Sequence, residues 1–126
     1  MCGPHESFGV GSVVDLARML IAVRSQGGID PPDGVISVLS RWLAEHDLTP
    51  RTLSGEDGAP VGVSVDIGPG GGAHYCLNAC LDTAPFGDRA AWTDPPTAGV
   101  VRDGWLSGRG AADCNTPPPA PGPTAS

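Results

Sequence analysis

Leu81-Asp82-Thr83-Ala84-Pro85-Phe86-Gly87-Asp88 opens the stretch that decides how this chain reads, and Gly108-Arg109-Gly110-Ala111-Ala112-Asp113 closes it. An aspartate stands near each end, Asp82 and Asp113. Between them lie a proline turn, the tryptophans Trp92 and Trp105, and a Gly-Arg-Gly loop. Proline, glycine and aspartate at this density make most of Asp82–Asp113 loop, with Asp88, Asp94 and Asp103 as turn formers. Val100–Arg102 and Trp105–Ser107 form a small hairpin about Asp103-Gly104, and Trp92 and Trp105 are the expected packing anchors.

The residues before Asp82 predict an extended strand, Ala73–Leu81. Period two puts Ala73, Tyr75, Leu77, Ala79 and Leu81 on one face, and His74, Cys76, Asn78, Cys80 and Asp82 on the other. Cys76 and Cys80 then lie roughly 13 Å apart along the chain. A disulfide needs Cα atoms within about 7 Å, so the two cannot pair within one extended strand. The same spacing disfavours a zinc knuckle built on both thiols, and buried free thiols are the expectation.

Further upstream, Val61, Val63, Val65 and Ile67 alternate and predict a strand, Val61–Ile67, followed by a Gly68–Gly72 turn. Arg51–Leu53 is a shorter strand. Val35, Val38, Leu39, Trp42 and Leu43 share one face of a helix that Pro31 and Pro32 open and that ends near Asp47. Val13, Leu16, Ala17, Leu20 and Ile21 predict a helix over 13–24, capped by Ser12 and stopped by Gln26-Gly27-Gly28. His5 and His46 are expected to face solvent. Residues 1–11 are read as a flexible N-terminus, and 114–126, with Pro117-Pro118-Pro119, as a disordered proline-rich tail.

Composition narrows the function classes. The net charge is −7 and only seven Lys and Arg are present, without a cluster. Nucleic acid and anionic membranes both need a basic surface, so neither is an expected partner. Gly (19) and Pro (14) make up about a quarter of the 126 residues, near the range where low-complexity behaviour sets in. Four cysteines behind an N-terminus without a basic segment and apolar run predict reduced thiols in the cytoplasm.

Together, Asp82-Thr83-x-Pro85, Trp92-x-x-x-Pro96, Asp103-Gly104 and Gly108-Arg109-Gly110-x-x-Asp113 resemble the metal-binding core of the M20 family of zinc metallopeptidases and deacylases, which includes acetylornithine deacetylase. The likeness runs from the first helix to Asp113. It implies an α/β fold, with residues 12–113 as the N-terminal part of a zinc-peptidase-like catalytic domain. It further implies two zinc ions, a peptide or N-acyl amino acid substrate, and attack of a metal-bound hydroxide on the amide carbonyl.

The resemblance makes Asp113 the carboxylate that bridges the metals and Asp82 the catalytic residue that supports the site. The family's Gly-His-x-Asp-Thr-Val-Pro run corresponds to Ala79-Cys80-Leu81-Asp82-Thr83-Ala84-Pro85. Cys80 therefore stands at the position of a metal-ligand histidine. A thiolate binds zinc but has no second N–H to give to an orienting carboxylate. A divergent site and a dead one both follow from that exchange. The family's Glu-Glu pair, its further ligands and its dimerisation domain have no counterpart after Asp113. The expectation is a truncated hydrolase, inactive alone; a non-catalytic metal-binding or interaction module is the alternative.

Overall fold

The structure, a computed structural model, describes residues 10–112. The flexible N-terminus and the proline-rich tail expected at the ends, and Asp113 with them, lie outside the described residues.

Helix α1 spans Val10–Ile21 and α2 spans Asp33–Glu45. Ser12 therefore stands within the first turn of α1 instead of ahead of it. The far end also differs from the expected 13–24. Ala22 N–H still donates to the Arg18 carbonyl at 3.0 Å, but Val23 turns to Leu20 at 3.2 Å. Beyond this tightened turn, Ser25 and Gly27 hydrogen-bond to Thr83. The helix thus ends before the glycines are reached, and a tertiary contact holds the chain beyond it. Ile21 is buried, whereas Val13, expected on the same apolar stripe, is exposed.

Pro32 precedes the first turn of α2, as its missing N–H allows. The helix stops at a left-handed residue, Asp47, at φ 61°. Asp47 N–H donates to Ala44 and Leu48 N–H reaches back to Leu43 at 3.0 Å, the paired bonds of a Schellman ending. Val35, Ile36 and Trp42 are buried, while Val38, Leu39 and Leu43 are half-buried. His46 is half-buried and does not face solvent as expected. Its ring stacks on Trp42 with centroids 3.8 Å apart, and Nδ1–H donates to the Trp42 carbonyl at 2.7 Å.

Strands β1 (Arg51–Ser54) and β2 (Pro60–Ser64) form an antiparallel hairpin. Arg51 faces Ser64, Thr52 faces Val63 and Leu53 faces Gly62, and the register breaks between Leu53 and Ser54. The expected strand Val61–Ile67 is cut short: Val61 and Ile67 are exposed and only Val63 and Val65 are half-buried. Helix α2 packs on β2, β1 and α1.

A second hairpin joins β3 (Val100–Arg102) to β4 (Trp105–Ser107). Its turn is Asp103-Gly104, both at positive φ (53° and 80°), as a two-residue type I′ connection demands. Trp105 is 77% exposed and anchors nothing, because a two-stranded ribbon leaves one face to solvent. Among the described residues the result is a mixed α/β arrangement of two α-helices, a short 3-10 turn and two separate two-stranded antiparallel sheets.

The strand expected over Ala73–Leu81 does not form among the described residues. No ladder partner lies beside it; only Thr83, after its end, makes a parallel bridge to Gln26. Residues 71–80 are all exposed, Tyr75 and Leu77 almost completely. A strand is held by its neighbours' N–H and C=O groups, and these residues have none to pair with.

Candidate functional site

The loops that carry the aspartate motifs are positioned by one buried glutamine. Gln26 Oε1 accepts from Phe86 N–H at 2.8 Å. Its Nε2 donates to Asp30 Oδ2 at 2.9 Å, and its own backbone N–H donates to the same oxygen at 2.9 Å. On either side, Thr83 N–H donates to Ser25 and Gly27 N–H donates to Thr83. Gln26, Ser25 and Thr83 are buried beside Phe86. The side-chain amide of Gln26, joined by its backbone N–H, holds the Asp30 carboxyl below the usual carboxylate range; the Arg24 guanidinium adds to this, against an opposing push from burial. Arg24 and Arg89 also lie over the Phe86 ring, each 5.7 Å from its centroid.

Asp82 sits one residue before this clip, half-buried. A Cβ on Gly27 would lie 2.7 Å from Asp82 Oδ2, so any side chain there would make the carboxylate shift. Asp82 and Asp30 share a cavity of about 360 Å³ whose apolar wall includes Val35, Ile36, Val61 and Leu81.

The Gly-Arg-Gly loop closes onto the same corner. A Cβ on Gly110 would stand 3.0 Å from Thr83 Cγ2, and one on Gly108 would stand 2.6 Å from Ile21 Cγ2. Arg109 N–H donates to the Pro96 carbonyl at 2.8 Å. Its guanidinium lies 4.9 Å from the centroid of Trp92, whose Nε1–H donates to Phe86 at 2.8 Å. Trp92 is therefore an anchor, as expected. The structure thus brings Asp82-Thr83 and Gly108-Arg109-Gly110 together from opposite ends of the loop region.

Metal chemistry is less complete. Cys76 and Cys80 are free and exposed, not buried as expected. Among the described residues no three His, Cys, Asp or Glu side chains gather as a metal site. Cys80 and Asp82 offer two donors, whereas a tetrahedral zinc site takes at least three protein ligands. This donor set by itself does not fit a zinc ion. Gln26, Phe86 and Ile36 carry no motif: a buried glutamine in the loop between the helices reads like a solvent-facing one until its partners, 60 residues away for Phe86, are in place.

The chain is 33% identical over 104 residues to succinyl-diaminopimelate desuccinylase of Cereibacter sphaeroides, a match covering 82% of the chain. It is 34% identical over 103 residues, 79% of the chain, to the desuccinylase of Parvibaculum lavamentivorans. The chain belongs to the M20 family. Identity to the M20 desuccinylase of Rhodospirillum centenum reaches 50% over 42 residues, 33% of the chain and 11% of that protein. No family model matches the chain. The chain spans about a quarter of the length of the curated relatives that it matches over most of its own length: 26% for Cereibacter sphaeroides and 25% for Parvibaculum lavamentivorans. Among the described residues no helix is long and apolar enough to cross a membrane.

Proposed function

We propose that this chain carries one side of the active-site loops of a cytoplasmic N-acyl amide hydrolase of the desuccinylase kind, and that the 126 residues do not turn over substrate alone. The observation that carries this reading is the meeting of Thr83 with Gly110, which joins the two family motifs at one corner. In the full apparatus Asp82, Cys80 and Asp113 would be this chain's contribution to a zinc site, Cys80 and Asp113 as ligands and Asp82 in support, and the metal would supply an activated water. The family's M20 zinc-peptidase-like domain supplies the remaining groups. The substrate class is an N-succinyl or related N-acyl amine, after the relatives' names.

Hydrolysis of an amide needs an activated water and a base to take its proton. Asp30, the carboxylate that shares the cavity with Asp82, is already engaged by two hydrogen bonds from Gln26, and this supports inactivity of the chain alone. Purified chain, supplied with zinc and N-succinyl-diaminopimelate, is expected to release no succinate; zinc-dependent release overturns that claim. A chimera tests the hydrolase reading itself. The matched stretch of the Cereibacter sphaeroides desuccinylase is replaced by that of this chain, with Cys80 or with Cys80→His. The histidine form is expected to be the more active. Asp82→Asn in that form is expected to cost about 10–100-fold in activity, the usual effect of losing a carboxylate that supports a metal site. A folded chimera that stays inactive with histidine at 80 overturns the hydrolase reading.

A further inference from the structure

Trp92 and Pro96, the two fixed members of the Trp92-x-x-x-Pro96 motif, hold the same residue. Arg109 gives its backbone N–H to the Pro96 carbonyl at 2.8 Å. Its guanidinium lies over the Trp92 ring, 4.9 Å from the centroid. Trp92 in turn gives its Nε1–H to the Phe86 carbonyl at 2.8 Å, and Phe86 N–H is held by Gln26 Oε1 at 2.8 Å. An unbroken run of contacts therefore joins Arg109 to Phe86, in the loop that begins with Asp82-Thr83. Arg109 and Trp92 are half-buried, and Phe86 and Pro96 are buried.

The Arg109 side chain matters here because its neighbours have none. Gly108 and Gly110 flank it, and a chain with glycine on both sides has wide backbone freedom. That freedom has to be removed by contacts. Gly108 and Gly110 approach Ile21 and Thr83 closely, but they do so as bare backbone. The side chain that fixes the loop between them is that of Arg109. A guanidinium over an indole face is attracted by the ring quadrupole, more strongly where water is partly excluded, and its planar group stacks on the ring. Ala111 N–H then donates back to the Gly108 carbonyl at 3.2 Å. Arg109 thus stands at the centre of the turn from which the chain runs on to Asp113.

We propose that Arg109 is a positioning residue of the amide-hydrolase site: through Trp92 and Phe86 it sets the Gly-Arg-Gly turn against the Asp82-Thr83 loop, and so fixes where the chain carries Asp113. It acts through Trp92 and not by touching substrate. The role in turnover rests on the hydrolase reading above; the coupling of Arg109 to Phe86 does not. Displacing a catalytic group by about 1 Å costs roughly 100-fold in rate, so a single ring contact is enough to govern a loop that must be fixed to that tolerance.

The coupling is read by NMR on the full 126-residue chain. The Trp92 indole N–H signal is identified by its loss in Trp92→Phe. In Arg109→Ala that signal is expected to shift and to exchange faster with water, because the ring is no longer held over its bond to Phe86. The melting midpoint is expected to stay close to that of the unmutated chain. An indole signal that neither shifts nor exchanges faster overturns the proposal. A collapse of the melting midpoint makes Arg109 a general stabiliser and overturns the positioning role.

The role in turnover is read in the chimera that carries Cys80→His. Arg109→Ala is expected to lower kcat by about 10–100-fold, with KM nearly unchanged. Trp92→Leu is expected to do the same, and the double variant to be no worse than either single one, since both remove one contact. Losses that multiply in the double variant, or a loss confined to KM, overturn the positioning role. If the parent chimera folds but turns over nothing, the hydrolase reading fails and the effect on turnover with it. The indole signal still decides whether Arg109 is coupled to Phe86 through Trp92.

Discussion

At the scale of single residues, Gln26 decides more than any charged group in the described chain. Its amide satisfies Phe86 N–H and the Asp30 carboxylate at once. Gln26→Ala leaves a buried N–H without a partner, which costs about 1–3 kcal/mol. A thermal or urea melt of the variant is expected to show a loss of that order, and a loss near zero would remove the clip from the account. The same contact gives a pH signature. Gln26 holds Asp30 below the ordinary aspartate value, so the contribution of this carboxylate is complete above that value, about 3.9, and is lost as pH falls through the lower folded value. The melting midpoint is expected to fall below about pH 4, and Asp30→Asn to flatten the acid limb relative to the unmutated chain.

At the scale of elements, the two helices end for different reasons. Helix α2 is closed locally, by the Schellman bonds around Asp47. A non-glycine residue in the left-handed region is strained by about 1–2 kcal/mol, less for aspartate, whose short polar side chain tolerates that conformation. Asp47→Gly is accordingly expected to keep or raise stability, by up to about 1 kcal/mol, as read from the urea midpoint. A clear destabilisation would show that the Asp47 side chain itself contributes. Helix α1 ends in the Val23–Leu20 turn, and the bonds of Ser25 and Gly27 to Thr83 hold the chain beyond it, so no local substitution at Gly27 or Gly28 is expected to lengthen it. Hairpin β3–β4 is the most local element: Asp103-Gly104 specifies its turn without outside help.

At the scale of the whole molecule, the buried apolar side chains are Ile21, Val35, Ile36, Trp42 and Phe86 among the described residues. That is a small core for a chain that also exposes Ile67, Tyr75, Leu77 and Trp105. Removing a buried isoleucine costs about 2–5 kcal/mol, against total stabilities of about 5–15 kcal/mol for ordinary domains. Ile36→Ala is therefore expected to lower the melting midpoint more than any exposed substitution, and circular dichroism on heating reads it directly. A small shift would mean that Ile36 contributes little to the cooperative unit.

What the sequence determined by itself is local or pairwise in motif. The α2 opening at Pro31-Pro32, the Asp103-Gly104 hairpin and the order of the aspartate and Gly-Arg-Gly motifs depend on residue chemistry a few positions wide. The family likeness follows from them. What only the tertiary structure decided is which apolar and polar groups find partners. Period two was present in Ala73–Leu81, yet no neighbouring strand lies beside it among the described residues, and it stays exposed. Val13 and Trp105 had the right character for a core but no surface to meet, while Gln26 and Ile36 were drawn inside by partners far along the chain. Burial is a property of pairs of surfaces, and a one-dimensional pattern records only one member of each pair.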